Sequence, residues 1–210
     1  MISEHETGLA LPRLPTGVWP AAPLRAGSDP LSMGPTDAAA RHVEASNLAT
    51  ERFFLDASDE IARTCQAMAT RFASGGRLLA YAAGVPRGDV GHLVVEFVHP
   101  VVMGKRALPA LPLGAHGDGG AQQALSVLGR DHDIVLVLCT GEMTAEARDT
   151  LAAARERGML TVLLGHEGMT WAADHAFRVP SSDPCIVQEV HELLYHVLWE
   201  LVHVFLEHCA

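Results

Sequence analysis

One run of residues constrains this chain more than any other. Asp133-Ile134-Val135-Leu136-Val137-Leu138-Cys139 is continuously aliphatic and β-branched, the composition of a strand buried on both faces of a parallel sheet. A helical stretch from Thr144 to Arg157 follows, with Thr144 placed to cap its start and Gly158 to end it. Leu160-Thr161-Val162-Leu163-Leu164 then reads as the next strand, and Ala176 to Val179 as one more. Strand, helix and strand at this pitch call for a right-handed parallel crossover, so the chain belongs to the α/β class, a sheet flanked by helices.

The segments on either side fit that plan. Ala38 to Phe72 carries Phe53, Leu55, Ile61, Cys65, Met68 and Phe72 at helical spacing and closes on Gly75-Gly76, which predicts one long helix or two short ones. Leu78 to Ala83 reads as a short buried strand, followed by a Gly/Pro loop and a helix from about Gly88 to Val98. Ala107 to Leu111 is a second strand, and Pro109 confines it to an edge or a strand end. The chain closes on one long helix, Asp183 to about Glu207, apolar on most of its circumference and so expected to be buried by more than its own subunit. Six of the twelve prolines fall in the first 36 residues, which predicts an extended or disordered arm over 1–36 and a folded domain over 37–210. Leu9, Leu11, Leu14 and Trp19 would let that arm strap a neighbouring subunit.

Composition narrows the function. With 49% hydrophobic and 19% charged residues and a mean hydropathy of +0.17, the core must be large or shared, and bulk disorder is excluded. Twenty-five acidic against fifteen basic residues give a charge of −10, the wrong sign for a chain that neutralises phosphate backbones, so nucleic acid is not an expected direct ligand. The greasiest stretch, Val187 to Phe205, is interrupted by Glu192, His196, Glu200 and His203, and no run reaches the ~20 apolar residues of a membrane span. The first residues lack the basic start and apolar run of a secretory signal, which points to the cytoplasm. Four scattered cysteines, with no C-x-x-C pair, read as reduced thiols.

Two patterns carry possible chemistry. His92 and Glu96 are four apart in a helical segment, stacked on one face, where an imidazole and a carboxylate can hold a divalent metal, act as an acid/base pair or simply pair at the surface. The last helix offers Gln188, His191, His196, His203 and His208, with His196 and His203 on one face at i, i+7; such histidines serve either as ligands or as core residues satisfied by hydrogen bonds.

The residues from Gly91 to Ala110, together with Val179-Pro180-Ser181-Ser182-Asp183 and Val187-Gln188-Glu189-Val190-His191 running on to His196, resemble the phosphoheptose isomerases within the wider SIS (sugar isomerase) family. The resemblance runs from about Thr36 to Glu207. It implies a three-layer sandwich with a five-stranded parallel sheet, assembled as a homotetramer with the long helices at its centre. It also implies that His92, Glu96, Gln188 and His196 form the site, binding zinc in some family members. Glu96 would be the base that moves a proton between C1 and C2 of the sugar, and His196 its acid partner.

The phosphate-gripping loops depart from the family. Where members read GNGGS after the first strand, this chain reads Ala82-Ala83-Gly84-Val85-Pro86. Where they read STSGNS, it reads Cys139-Thr140-Gly141-Glu142-Met143-Thr144, which keeps Thr140 and Thr144 as candidate substrate contacts but adds a carboxylate. A dianionic phosphate ~6 Å from Glu142 would be repelled by roughly 5 kcal/mol at an effective dielectric of about 20. The stretch Gly114 to Arg130 is shorter than its family counterpart, and Asp118 is the position there that corresponds to a substrate contact. The expected function is therefore aldose–ketose isomerisation of a sugar or sugar phosphate with degraded phosphate loops. The alternative is a non-catalytic SIS-fold oligomer that organises a protein partner or handles metal through its twelve histidines.

Overall fold

The computed structural model describes residues 34–83, 87–100, 104–114 and 120–208. The N-terminal arm therefore lies almost wholly outside the described residues, as do Gly84 to Pro86 and Asp118. The elements in chain order are α1 (Pro35–Ala73), β1 (Leu78–Ala83), α2 (Arg87–Val98), β2 (Ala110–Pro112), α3 (Gly120–Leu128), β3 (Ile134–Cys139), α4 (Ala145–Glu156), β4 (Leu160–His166), β5 (His175–Val179) and α5 (Pro184–His208).

The five strands form one all-parallel sheet in the order β2-β1-β3-β4-β5. Successive side chains of a strand point to opposite faces, and the sequence fills both. Leu78, Ala80 and Ala82 of β1, with Ile134, Leu136 and Leu138 of β3, pack beneath α1, α2 and α5. Leu79, Tyr81, Val135, Val137 and Cys139 pack against α3 and α4 on the other side. Three layers result, as the continuous apolar run at 134–139 requires.

The region between Ala38 and Phe72 is one helix of 39 residues, opened by a proline at its first turn and closed at Ser74. Gly75 follows with φ +83°, and a Cβ at Gly76 would sit 2.1 Å from the His132 carbonyl oxygen, so the turn into β1 needs both glycines. The second strand is an edge strand, but it begins three residues later than the sequence suggests, at Ala110. Pro109 lies just before it and uses its carbonyl to accept from the Leu78 N–H at 2.9 Å. Helix α3 was not expected; only Ala121 and Leu125 anchor its nine residues, too few apolar positions to show a period. Thr144 caps α4 by accepting a hydrogen bond from the Ala147 N–H at 3.2 Å.

The strand order places the topological switch between β1 and β3, which lie in register from Leu78↔Ile134 to Ala83↔Cys139. In open parallel sheets the crevice outside the carboxyl ends at such a switch is where ligands bind. Helix α2 leaves from this point, and α5 returns beside it.

Candidate active site

Helices α2 and α5 lie side by side and run in the same direction, so their polar residues pair turn by turn. The Gln188 amide donates to Asp89 Oδ1 at 3.1 Å, and the Tyr195 hydroxyl lies 2.8 Å from His92 Nδ1. Glu192 Oε1 is 3.5 Å from the same Nδ1. One turn further, Glu96 Oε1 is 3.3 Å from His92 Nε2 and 4.0 Å from His196 Nε2. The two imidazole rings meet edge to face with centroids 5.1 Å apart. Asp89, His92 and Glu96 follow at i, i+3, i+7 on α2, and Gln188, Glu192 and His196 at i, i+4, i+8 on α5, the spacings that line one helical face.

One ligand atom each from His92, Glu96 and His196 lie within 4.8 Å of one another. Two imidazoles and a carboxylate are the donor set of a zinc site with a position left open for substrate, so the residues present fit such an ion. For His92 Nε2 to offer a lone pair, the ring must carry its proton on Nδ1, and there Tyr195 or Glu192 accepts it. Gln188 spends its amide nitrogen on Asp89, not the carbonyl oxygen that a cation would take. Burial, with the nearby carboxylates of Glu192, Asp89 and Glu96, pushes the Tyr195 hydroxyl far above its usual range, so it stays protonated. Burial also raises the Asp89 carboxyl, with the Gln188 amide opposing; its Oδ2 is enclosed without a hydrogen bond to any described residue.

The other histidines of α5 lie elsewhere. His191 is fully buried, with Nε2 3.0 Å from the Gly165 carbonyl oxygen. His203, on the same face as His196 by sequence, is buried between the carbonyl oxygens of Trp199 at 2.8 Å and Arg106 at 3.0 Å. His208 is exposed beside Val204 O. Thr140 is nearly buried at the end of β3, and Thr144 is occupied as a helix cap. Sequence reasoning passed over Tyr195, Glu192 and Asp89. The two acids could have been found from their helical phase with Gln188, His196 and His92, but a tyrosine in an apolar helix carries no signal that separates it from core.

At the carboxyl end of β1 a cavity of about 250 Å³ is lined by Tyr81, Ala82, Val90, Gly91, Pro112, Leu113 and Gly114. It borders α2 at the residues just before His92. On the sheet's other side, Glu146 in the first turn of α4 accepts from the Ala121 N–H at 2.9 Å and the Tyr81 hydroxyl at 3.0 Å. Glu142 is exposed in the loop after β3, and that loop is tied down by Cys139 Sγ donating to Gly141 O at 3.2 Å and by His166 Nε2 at 3.2 Å from the same oxygen.

No protein-family model matches this chain. Among curated proteins it is 31% identical over 186 residues to the phosphoheptose isomerase of Solidesulfovibrio magneticus, covering 80% of this chain and 89% of that protein. It is 30% identical over 194 residues to that of Alkalilimnicola ehrlichii, covering 82% and 98%. Among solved structures, a phosphoheptose isomerase from Francisella tularensis superposes with a TM-score of 0.69 at 23% identity, covering 81% of this chain and 98% of that one. One from Neisseria gonorrhoeae superposes with 0.70 at 21% identity, covering 80% and 97%; these likenesses carry the fold. With the curated relatives matched over most of their length, the chain belongs to the phosphoheptose isomerase family.

Proposed function

We propose that the protein interconverts an aldose and a ketose, acting on a sugar or sugar phosphate, with Glu96 and His196 as its proton-transfer groups. The observation that carries this reading is the convergence of His92, Glu96 and His196 from two helices onto one point, in a chain whose relatives are named phosphoheptose isomerases. It favours catalysis over a purely structural oligomer, because an assembly role needs no carboxylate held between two imidazoles.

A zinc ion, when bound by His92, Glu96 and His196 with the Gln188 carbonyl oxygen, supplies Lewis-acid polarisation of the sugar carbonyl. The chain's own groups do the rest. Glu96, with its side chain only 14% exposed, is shielded from water and positioned to take a proton from one sugar carbon and return it to the neighbour. His196, on the same side of the seam, donates to and recovers a proton from the oxygen whose charge develops as the carbonyl shifts. Tyr195 and Glu192 hold the His92 ring so that Nε2 faces the reacting centre. The assembly we infer for this work is a homotetramer, supported by the apolar residues Val43, Leu48 and Leu55 of α1, Val95 of α2, and Leu193 and Val204 of α5, all exposed on the single chain.

The test is isomerisation of a panel of ketoses and ketose phosphates, sedoheptulose 7-phosphate among them, by zinc-loaded protein in deuterated water, read as product and as deuterium entering at C1 or C2. Wild type is expected to exchange and convert at least one, and Glu96→Gln to lower the rate at least ~100-fold. His92→Ala and His196→Ala should each lose bound metal. A wild type that neither exchanges nor converts any of the panel overturns the proposal.

A further inference from the structure

Three rings meet at the seam between α2 and α5, and two of them face water. The side chains of His92 and His196 are 43% and 38% exposed, whereas Tyr195 is 1% exposed. The Tyr195 ring centroid lies 5.5 Å from that of His92, with the planes at 84°, and 4.8 Å from that of His196, at 59°. With the two imidazoles 5.1 Å apart, the three rings form a nearly equilateral triangle. Every side falls in the ~4.5–7 Å range in which aromatic rings attract one another. The phenol ring therefore backs both imidazoles from the buried side.

Helix phase explains how the residue next to His196 in sequence reaches across to α2. At 3.6 residues per turn, seven positions bring Tyr195 to within about 20° of Gln188, and His196 stands ~100° round from it. Gln188 and Tyr195 thus point at α2, where they meet Asp89 and His92, while His196 approaches Glu96 from the flank. Phenylalanine or leucine would fill the same apolar space. The hydroxyl is what packing alone does not require: buried without a partner it would be destabilising, and it lies 2.8 Å from His92 Nδ1. Glu192 competes for that nitrogen from 3.5 Å with a side chain 50% exposed, a longer contact in water that contributes little.

Resting on the metal-assisted isomerase reading above, we infer that Tyr195 is the positioning residue of the site: its ring sets the spacing between His92 and His196, and its hydroxyl holds the His92 ring with Nε2 towards Glu96. Zinc–nitrogen bonds are ~2.0–2.1 Å long, and a donor set works only when its members are held to within about 0.5 Å. Two half-exposed imidazoles from separate helices meet that tolerance through a shared buried support. Tyr195 acts through the two histidines and needs no contact with ion or sugar.

The experiment compares wild type, Tyr195→Phe, Tyr195→Leu and Glu192→Gln by zinc affinity in competition with a chelator, by the visible spectrum of the cobalt-substituted proteins, and by turnover of sedoheptulose 7-phosphate per bound zinc. Tyr195→Phe keeps the ring and should lower zinc affinity about tenfold, with little change in the cobalt bands. Glu192→Gln should lower it less than about threefold. Tyr195→Leu should lose more affinity than Tyr195→Phe and weaken the tetrahedral cobalt bands; should it fail to fold, Tyr195→Phe decides. A loss in Tyr195→Phe no greater than that in Glu192→Gln, wild-type cobalt bands in folded Tyr195→Leu, or a wild type that takes up no zinc overturns the inference. A wild type that binds zinc but converts no sugar, with the affinities ranked as expected, removes the isomerase reading and leaves the positioning role standing.

Discussion

His191 and His196 stand on the same helix five residues apart, and their surroundings give them opposite tasks. His196 is half-buried beside Glu96, whereas His191 is enclosed by the sheet, and its Nδ1 has no hydrogen-bond partner among the described residues. Burial lowers the His191 pKa to about 4, against the Gly165 carbonyl bond that favours its charged form. A histidine whose folded pKa lies below its unfolded value near 6.5 binds fewer protons in the folded state, so stability rises with pH across that interval. The protein should therefore hold this contribution above pH ~6.5 and lose about 3 kcal/mol of it by pH ~4. Urea unfolding at a series of pH values checks this: His191→Gln should flatten the acid limb by close to one proton, and an unchanged slope would exclude the assignment. At this scale the sequence shows the four-residue spacing of His92 and Glu96. It does not show which histidines of α5 are buried, because burial depends on what lies across from each one.

Among the elements, the ends matter as much as the interiors. Asp133, fully buried just before β3, accepts from the Arg77 backbone N–H at 2.9 Å and from its guanidinium at 2.7 and 3.2 Å, and from the Arg130 N–H at 3.0 Å. One carboxylate thus aligns the starts of β1 and β3 and the turn after α3, the register on which the crevice depends. Removing one partner of a buried pair leaves the other charge uncompensated, which costs about 3 kcal/mol or more. Asp133→Ala should lower stability by that amount in chemical denaturation, while Asp131→Ala, at an exposed neighbour, should leave it within ~0.5 kcal/mol. Equal effects from both would remove the special role given to Asp133. The strands β3 and β4 were legible because their runs are almost wholly aliphatic, with Thr161 as the one polar side chain inside the run from Leu160 to Leu164. β2 and α3 were not, since three residues and two buried side chains are too short for any period to register.

On the scale of the whole molecule, α1 extends about 58 Å at the standard helical rise. Among the described residues its buried side chains begin only at Ala49, and its first turns meet α5 through the polar contacts of His42 and Ser46 with Glu189. A helix in water gains most of its stability from a packed face, and Val43, Leu48 and Leu55 offer one. In the homotetramer proposed here, Leu48→Glu with Leu55→Glu should shift the mass measured by light scattering to a smaller species without loss of helical content. A wild type that is already monomeric at working concentration would end that expectation.

The sequence by itself determined the class of fold and the candidate residues. Uninterrupted aliphatic runs can be satisfied only inside a two-sided sheet, and a four-residue spacing on a helix puts two side chains on one face whatever surrounds them. The tertiary structure decided which faces meet. Asp89, Glu192 and Tyr195 join the site because α2 and α5 run parallel in one phase, and Glu146 reaches Tyr81 and α3 because β1 and β3 are neighbours across a switch in strand order. These are contacts between residues 25 to 103 positions apart, and they follow from strand order and helix phase, which local periodicity does not encode.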